Sequence, residues 1–453
     1  MQYSSSQIHF LSLFLLLIIV PSYFSFPLGH NHNPEEPPVL DHHQKTYTGH
    51  NFLRPYPTIL RTSRRELITA SASSKVVFNV HDFGAQANGG DDTKAFRNAW
   101  KKACSNSEGK TVELVVPKNR NYHIKPITFS GPCKSQVTFK IYGTIKASPF
   151  LLDYERDSSH WIMFENLQNF KVEGAGTGII NGNGRKWWEN SCKVNESLPC
   201  TSAPTAVTFY QCNNLDVANL RFQNAQRMHL TFQKCALVKV LNLIITAPGN
   251  SPNTDGIHVT ETQDIRINSC RIRTGDDCIS IVSGSRNVQA SDITCGPGHG
   301  ISIGSLGAEN SEAQVSDVVV SRANLIGTTN GLRIKTWQGG SGYAKNIRFE
   351  NVLMHNVTNP IIIDQHYCDQ EKPCQDQASA VKVSGVVYQN VKGTSASKVA
   401  VNFDCSERFG CQEILVQDVN IVPLNDEGIT TASCQNVGLR DRGIVSPKCS
   451  SQK

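Results

Sequence analysis

Three carboxylates and a histidine recur at nearly constant intervals in the middle of the chain. Asp255 lies in the sequence Asn-Thr-Asp-Gly, and Asp276 and Asp277 lie in Gly-Asp-Asp-Cys. His299 follows in Gly-His-Gly, 23 residues after Asp276, which itself comes 21 residues after Asp255. Inverting hydrolysis of a glycosidic bond needs an acid and a base carboxyl group about 6.5 to 9.5 Å apart, with water between them. These residues therefore predict a glycoside hydrolase site.

Each aspartate taken alone is more often a turn residue, because Asn, Asp and Gly are common in turns. Three aspartates in register with a histidine and with two later cations favour catalysis instead. Crowded carboxylates oppose one another's ionisation, so the pKa of at least one should be raised, which keeps that group protonated as a general acid. We expect His299 to hydrogen-bond to an aspartate or to the sugar. No second histidine has a spacing that suits metal ligation, so we expect no metal.

Two cations follow in the segment Arg333-Ile334-Lys335. Alternate residues of a strand share a face, so Arg333 and Lys335 should point the same way while Ile334 points inward. Two cations beside a carboxylate site suit a substrate that itself carries carboxylates. The alternative is an ordinary pair of solvated charges.

Intervals of 20 to 30 residues are typical of a coiled solenoid, in which each motif falls on one coil. Seven segments share an apolar-x-apolar pattern followed closely by a polar residue, and no helical segment separates them, which excludes alternating strands and helices. We predict an all-β fold, a single-stranded right-handed parallel β-helix whose coils are about 4.8 Å apart. The seven segments begin at Leu215, Val238, Ile265, Val288, Ile347, Val386 and Ile414.

The folded part should begin with a strand at residues 76–80. Residues 93–104 have helical spacing, and Asp91 or Asp92 precedes them as a candidate N-cap. Solenoids need a cap over the exposed end of the core, and an amphipathic helix would serve. We therefore interpret the Asp91–Asp92 pair as structural and not as catalytic.

The N-terminal region divides into two predicted parts. Residues 8–20 form an apolar run that is too short to span a bilayer and suits a signal peptide, predicted at residues 1–25. Residues 26–73 are rich in Pro and His, and we predict a linker or pro-segment. A solvated linker is favoured there over a metal-binding tract. The catalytic domain is expected at residues 74–453, with no later stretch apolar enough to cross a membrane.

The chain contains 15 cysteines, which in a secreted protein indicates disulfides. No Cys-x-x-Cys spacing supports zinc. Cys278 and Cys295 flank the interval between Gly-Asp-Asp and Gly-His-Gly, and we predict that they pair. Asn195 and Asn356 begin glycosylation sequons. Four further pairs are close in sequence, and three cysteines in apolar segments should stay reduced: Cys192/Cys200, Cys368/Cys374, Cys405/Cys411 and Cys434/Cys449, then Cys212, Cys235 and Cys270.

Four motifs in this order and spacing resemble the signature of glycoside hydrolase family 28, the polygalacturonases. The resemblance covers residues 76–449 and is strongest to plant cell-wall members. It implies a right-handed parallel β-helix and hydrolysis of α-1,4-linked galacturonan with inversion. The motifs are Asn253-Thr254-Asp255, Gly275-Asp276-Asp277, Gly298-His299-Gly300 and Arg333-Ile334-Lys335.

Carried over residue by residue, the resemblance implies a role for each site residue. Asp276 would be the general acid, and Asp255 and Asp277 would activate water. His299 would support the acid. The substrate-binding residues would be Arg333 and Lys335 for the sugar carboxylate, Tyr367 at the reducing-side subsite, and Asn253 lining the site.

The expected partner is pectin, with no cofactor and no nucleic acid. The chain is expected to be a monomer, secreted to the cell wall and free of the membrane once the signal is removed. A net charge of +6 suits an anionic polymer, although it also serves solubility. Endo action is favoured over exo action by similarity alone. A rhamnogalacturonan-specific relative is disfavoured because that branch lacks Arg-x-Lys. A calcium-dependent pectate lyase and a catalytically silent binding protein are the remaining alternatives.

Overall fold

The computed structural model describes residues 75–106, 111–370, 374–375, 377–425 and 428–450. The predicted signal peptide at 1–25 and the linker or pro-segment at 26–73 lie outside these residues and stay predictions. Within the described residues, no helix has both the length and the apolar character needed to cross a membrane.

The described residues form thirty strands and two α-helices. The first ten strands are β1 (Val76–Asn79), β2 (Val112–Val116), β3 (Asn121–Ile124), β4 (Ile127–Ser130), β5 (Val137–Ile141), β6 (Thr144–Ala147), β7 (His160–Glu165), β8 (Gln168–Glu173), β9 (Ile179–Asn181) and β10 (Thr205–Tyr210). The next ten are β11 (Asn213–Ala218), β12 (Arg221–Gln223), β13 (Leu230–Gln233), β14 (Ala236–Leu241), β15 (Ile244–Thr246), β16 (Ile257–Thr260), β17 (Gln263–Asn268), β18 (Arg271–Arg273), β19 (Ile279–Ile281) and β20 (Arg286–Cys295). The last ten are β21 (Ile301–Leu306), β22 (Glu312–Ile326), β23 (Asn330–Trp337), β24 (Ser341–Val357), β25 (Asn359–Tyr367), β26 (Lys382–Ser395), β27 (Val399–Asp404), β28 (Cys411–Pro423), β29 (Thr431–Gln435) and β30 (Val437–Ser446). The helices are α1 (Thr93–Cys104) and α2 (Arg185–Glu189), and 3-10 turns span Val80–Phe83, Leu151–Tyr154 and Ala308–Asn310.

Before β20 the strands form three stacks, and each coil contributes one strand to each stack in turn. One stack is the 11-stranded sheet that runs from β4 through β7, β10, β13, β16, β19, β21, β23, β25 and β27 to β29. The other two stacks merge at β20, where β17 and β18 both pair with the same long strand. All named strand pairings are parallel, for example β16 with β19 and β19 with β21. The predicted right-handed parallel β-helix is therefore confirmed.

The predicted repeat register is also present. Leu215, Val238, Ile265 and Val288 are consecutive register partners across β11, β14, β17 and β20. The row continues through Val318 to the later predicted segments. The coil that contains Val318 was not among the predicted segments, although its run Val318-Val319-Val320 resembles those at Val386 and Ile414.

The core is a ladder of like side chains, one rung per coil. Phe129, Phe164, Phe209 and Phe232 are register partners in the 11-stranded sheet. Their rings stack with centroids 5.1 to 5.4 Å apart. Offset aromatic stacking adds to the free energy gained by burying the rings. The side chains that alternate with these rings point outward, and farther along the same sheet the outward positions form the site.

The predicted helix is present as α1, and its apolar face is buried. Trp100 packs on Phe129 with ring centroids 5.2 Å apart. Asp92 occupies the N-cap position, but its side chain accepts a hydrogen bond from the Gln86 N–H at 2.8 Å. Asp91 accepts the Thr93 N–H at 2.9 Å. Both carboxylates thus organise the turn before the helix, while the role of α1 as a cap over the coil end stays a prediction.

The cysteines follow the predicted pattern, with one addition. All four predicted close pairs and Cys278–Cys295 form disulfides. The predicted free thiols Cys212, Cys235 and Cys270 are buried. A sixth disulfide joins Cys104 to Cys133, which are 29 residues apart. Sequence spacing did not indicate this pair, because the two cysteines meet only once α1 packs against the coils.

Candidate active site

Three neighbouring coils present their polar groups at the same position. Asp255, Asp277 and His299 each stand two residues before the first residue of β16, β19 and β21, respectively. The first residues of these strands are register partners. The periodic spacing seen in the sequence therefore becomes a row across adjacent coils.

The eight residues predicted from the sequence lie together. They line one cavity of about 420 Å³ on the 11-stranded sheet. A larger cavity of about 640 Å³ lies beside α1 and contains none of them. The eight residues are Asn253, Asp255, Asp276, Asp277, His299, Arg333, Lys335 and Tyr367.

Glycines on both sides of His299 let neighbouring coils approach closely. Gly300 has φ +83°, and a Cβ at this position would lie 2.1 Å from the Asn330 carbonyl oxygen. A Cβ at Gly298 would lie 2.8 Å from the carbonyl oxygen of Asp276. Any larger residue would push the coils apart. The His299 N–H donates to that same Asp276 carbonyl at 2.8 Å, which fixes the imidazole beside the carboxylate.

Asp276 is held from two sides. His299 Nδ1 lies 3.1 Å from Asp276 Oδ1, and Asn253 Nδ2 donates to Asp276 Oδ2 at 3.3 Å. Burial raises the pKa of Asp276, but the hydrogen bond and charge of His299 outweigh it and lower the pKa overall. The same hydrogen bond raises the pKa of His299. A proton shared by this pair therefore resides mainly on the imidazole.

Asp255 has the opposite environment. Its pKa is raised well above the ordinary value, first by burial and then by the negative charges of Asp276 and Asp277. Ser280 Oγ donates to Asp255 Oδ2 at 2.7 Å and opposes this shift. The sequence predicted that one crowded carboxyl would have a raised pKa, and Asp255 is that group. The resemblance assigns the general acid to Asp276, whose pKa is instead lowered because His299 supplies a hydrogen bond and a positive charge there.

Asp277 is fixed by a serine and a lysine. Ser302 Oγ donates to Asp277 Oδ1 at 2.7 Å, and Lys335 Nζ lies 2.8 Å from Asp277 Oδ2. The side chains of Lys335 and Asp277 are only 9% and 2% exposed. The cation predicted to meet a sugar carboxylate is therefore already paired with a carboxylate of the protein.

Arg333 is the cation with free hydrogen-bonding capacity. Its Nε is buried and has no hydrogen-bond partner among the residues that the structure describes. The guanidinium lies 5.6 Å from the centre of the Tyr367 ring, and Lys335 Nζ lies 5.4 Å from the same ring. Burial raises the pKa of Tyr367 to about 12, so its hydroxyl stays protonated and neutral. A guanidinium with unused donors suits bidentate binding of a carboxylate.

Asp276, Asp277 and His299 are also candidate metal ligands. Donor atoms of Asp276, Asp277 and His299 all lie within 4.8 Å of one another, close enough to share an ion. His299 Nδ1 is already engaged with Asp276, and Asp277 binds Lys335 and Ser302. A cation would have to displace a protonated imidazole and compete with a buried ammonium group.

The sequence analysis missed Ser280 and Ser302, the two serines that hold Asp255 and Asp277. Each lies on the coil after its aspartate, and the two are register partners. A signal was present, because Gly-Asp-Asp-Cys is followed by Ile-Ser-Ile and Gly-His-Gly is also followed by Ile-Ser-Ile.

The chain matches the family model described as "Glycosyl hydrolases family 28" over residues 104–449. It is 53% identical over 442 residues to "Polygalacturonase QRT2" of Arabidopsis thaliana, covering 97% of this chain and 98% of that protein. It is 56% identical to a polygalacturonase of Persea americana, covering 86% of this chain and 83% of that protein.

Solved structures share the fold at low sequence identity. The endo-xylogalacturonan hydrolase from Aspergillus tubingensis aligns with a TM-score of 0.69 at 22% identity, covering 81% of this chain and 98% of that one. The polygalacturonase from Erwinia carotovora aligns with a TM-score of 0.66 at 23% identity, covering 81% and 96%. The family match spans most of the chain and includes every motif of the site, so this protein belongs to glycosyl hydrolases family 28.

Proposed function

We propose that this protein is a polygalacturonase that hydrolyses α-1,4-galacturonosidic bonds of pectin with inversion. The observation that carries the proposal is the convergence in one cavity of three aspartates, a histidine and an arginine whose Nε has no hydrogen-bond partner among the described residues. Relatives that share more than half of their residues with this chain are polygalacturonases. Catalysis by this site would be general acid–base chemistry with no cofactor.

The geometry favours a division of labour among the aspartates. Asp276 has one oxygen on His299 and the other on Asn253, and it delivers the proton to the leaving oxygen. Asp277 is buried, with one oxygen on Lys335 and the other on Ser302, and this fixed orientation suits a group that accepts a proton from water. Asp255, held by Ser280, is the second water-activating group. Its raised pKa means that it becomes a base only as the pH rises.

His299 serves as the reservoir of the catalytic proton. In the unliganded site the proton resides mainly on the imidazole, because the pKa of His299 is raised and that of Asp276 is lowered. A substrate that excludes water from the pair would favour the neutral form, with the proton on Asp276. Asp276 would then donate to the glycosidic oxygen.

Recognition of the acidic sugar falls mainly to Arg333. Its guanidinium lies beside the Tyr367 ring, and its Nε–H has no partner among the described residues. Lys335, by contrast, forms an ion pair with Asp277. Tyr367, at the end of β25, bounds the reducing-side subsite. A galacturonate carboxylate would bind Arg333, and a methyl ester would lose this charge-assisted contact.

We further propose endo action, secretion to the cell wall and a monomeric state. Six disulfides among the described residues favour an oxidising compartment. Asn195 and Asn356 are both exposed, as glycosylation would require. Product sizing separates endo action from exo action, because endo cleavage releases mixed oligomers early and exo cleavage releases one short product throughout.

The direct test is a reducing-sugar assay of the purified chain on polygalacturonate. New reducing ends without unsaturated products support hydrolysis. Unsaturated products that disappear with a chelator would indicate a calcium-dependent lyase. Binding to polygalacturonate without any cleavage would indicate a silent binding protein.

A further inference from the structure

His258 lies behind the catalytic row with no role so far. It sits on β16, three residues after Asp255, and lines the same cavity. His258 Nδ1 lies 2.8 Å from Ser280 Oγ, and Ser280 Oγ lies 2.7 Å from Asp255 Oδ2. The three groups form a continuous hydrogen-bonded chain that ends on a carboxylate of the site.

The available protons fix which group donates in each of these two hydrogen bonds. A serine hydroxyl has one proton, and when Asp255 is ionised that proton must point to the carboxylate. The oxygen of Ser280 can then only accept from His258, so the imidazole carries its proton on Nδ1. Burial, and then the positive charges of Arg227 and Lys335, lower the pKa of His258 to about 4. His258 is therefore a neutral donor over most of the pH range.

The corresponding serine on the next coil has a different neighbour. Ser302 donates to Asp277, and the residue beside it on the preceding coil is Ser280, whereas the residue beside Ser280 on the preceding coil is His258. Asp277 is instead stabilised by Lys335 at 2.8 Å. The two water-activating carboxylates are thus held in different ways, one by a direct ion pair and the other by a relay of neutral hydrogen bonds.

We propose that His258 is a positioning residue, which orients the hydroxyl of Ser280 toward Asp255 and thereby favours the ionised, base-competent form of this carboxylate. The inference rests on the proposed hydrolase function. Asp276 and Asp277 oppose ionisation of Asp255 by like charge, whereas Lys335 and Ser280 favour it. His258 acts on Asp255 through Ser280.

Loss of the Nδ1 donor should affect turnover and its pH dependence more than binding. His258→Leu should lower kcat on polygalacturonate by up to about 10-fold, the upper range for the loss of one neutral hydrogen bond. KM should change little. Activity needs Asp255 ionised and rises with pH through its pKa. Weaker support for the anion raises this pKa, so the ascending limb of the pH profile should move to higher pH.

Two further variants separate positioning from packing. His258→Asn places an amide N–H near the position of Nδ1 and should restore both kcat and the ascending limb. Ser280→Ala removes the hydroxyl that joins His258 to Asp255. Adding His258→Leu to this variant should therefore cause no further loss of kcat. Thr231→Val is the matched control, because Thr231 is the register partner of His258 on β13 and lies outside the relay.

The measurement is kcat, KM and the pH profile of these variants on polygalacturonate, with carboxyl NMR titration of Asp255 in the wild type and in His258→Leu. A higher pKa of Asp255 in the variant, with rescue by His258→Asn, supports the relay. An unchanged pKa of Asp255 in His258→Leu overturns the relay. So does an equal loss of kcat in His258→Asn and His258→Leu when the ascending limb of the pH profile stays at the wild-type position. A wild type that fails to cleave polygalacturonate refutes the proposed function, whereas the NMR titration still decides the relay.

Discussion

Lys335 forms a buried ion pair with Asp277 across two coils, with Nζ 2.8 Å from Oδ2. The two residues are 58 positions apart in sequence. They meet because β19, β21 and β23 are successive strands of one sheet. The pair ties the later coil, which also carries Arg333, to the coil that carries two of the three aspartates. Lys335 thus supports the catalytic carboxylate itself.

Removal of Lys335 should therefore destabilise the fold as well as impair activity. Breaking a buried pair by deleting one partner leaves an uncompensated charge, which costs about 3 kcal/mol or more. We expect Lys335→Ala to lower the free energy of unfolding by this amount in denaturant titrations. Lys239→Ala is the control, because Lys239 is exposed and lies 4.0 Å from Asp216. Equal stability of the two variants would show that Lys335 is not a structural partner of Asp277.

Asp276→Asn should remove the proton donor while keeping the shape of the side chain. We expect turnover on polygalacturonate to fall more than about 100-fold, the scale of general acid catalysis. The circular dichroism spectrum and unfolding midpoint should stay near those of the wild type. Asp441→Asn, at an exposed position on β30, serves as the control. Near-normal turnover in a folded Asp276→Asn enzyme would show that Asp276 is not the general acid.

The sequence predicted the architecture well because solenoid coils repeat a local pattern. The spacing of the apolar segments set the register, and the motifs then had to fall on neighbouring coils. The coil around Val318 was not predicted, although its apolar run has the same form as those at Val386 and Ile414. The Cys104–Cys133 disulfide was not predicted, because it depends on how α1 packs against the coils.

The sequence predicted the residues of the site and a hydrogen bond from His299 to an aspartate or the sugar, and the structure has the bond to Asp276, but the partner of Lys335 was not predicted. Spacing brings Asp277 and Lys335 onto one face, yet only the structure shows that they bind each other. The raised pKa likewise depends on burial and on where the positive charge of His299 lies. It therefore belongs to Asp255 and not to Asp276.

Arg333→Ala should weaken recognition of acidic substrate. Loss of a hydrogen bond to a charged group costs about 1.5–3 kcal/mol, so KM for polygalacturonate should rise about 10-fold or more. KM for highly methyl-esterified pectin, a poor substrate of the wild type, should change little. Arg348→Ala, at an exposed position on β24, is the matched control. Equally fast cleavage of esterified pectin and polygalacturonate by the wild type would refute charge recognition.

His299→Gln should shift the descending limb of the pH profile to lower pH. The pKa of His299 is raised by Asp276, so the pair keeps its shared proton until the pH rises through this value. Without the imidazole, the proton is held by the Asp276 carboxyl alone and is lost at lower pH. The measurement is kcat against pH for both enzymes. A descending limb at the same pH in both would show that His299 does not hold the catalytic proton.

The stereochemistry of the first products tests the central claim most directly. Proton NMR of polygalacturonate, recorded in the first minutes after the enzyme is added, resolves the anomers of the new reducing ends. Attack by water opposite the leaving group on an α-linked substrate predicts β-anomeric ends first, with α-anomers growing only as mutarotation proceeds. Initial formation of α-anomeric ends would contradict the assigned roles of Asp276, Asp255 and Asp277.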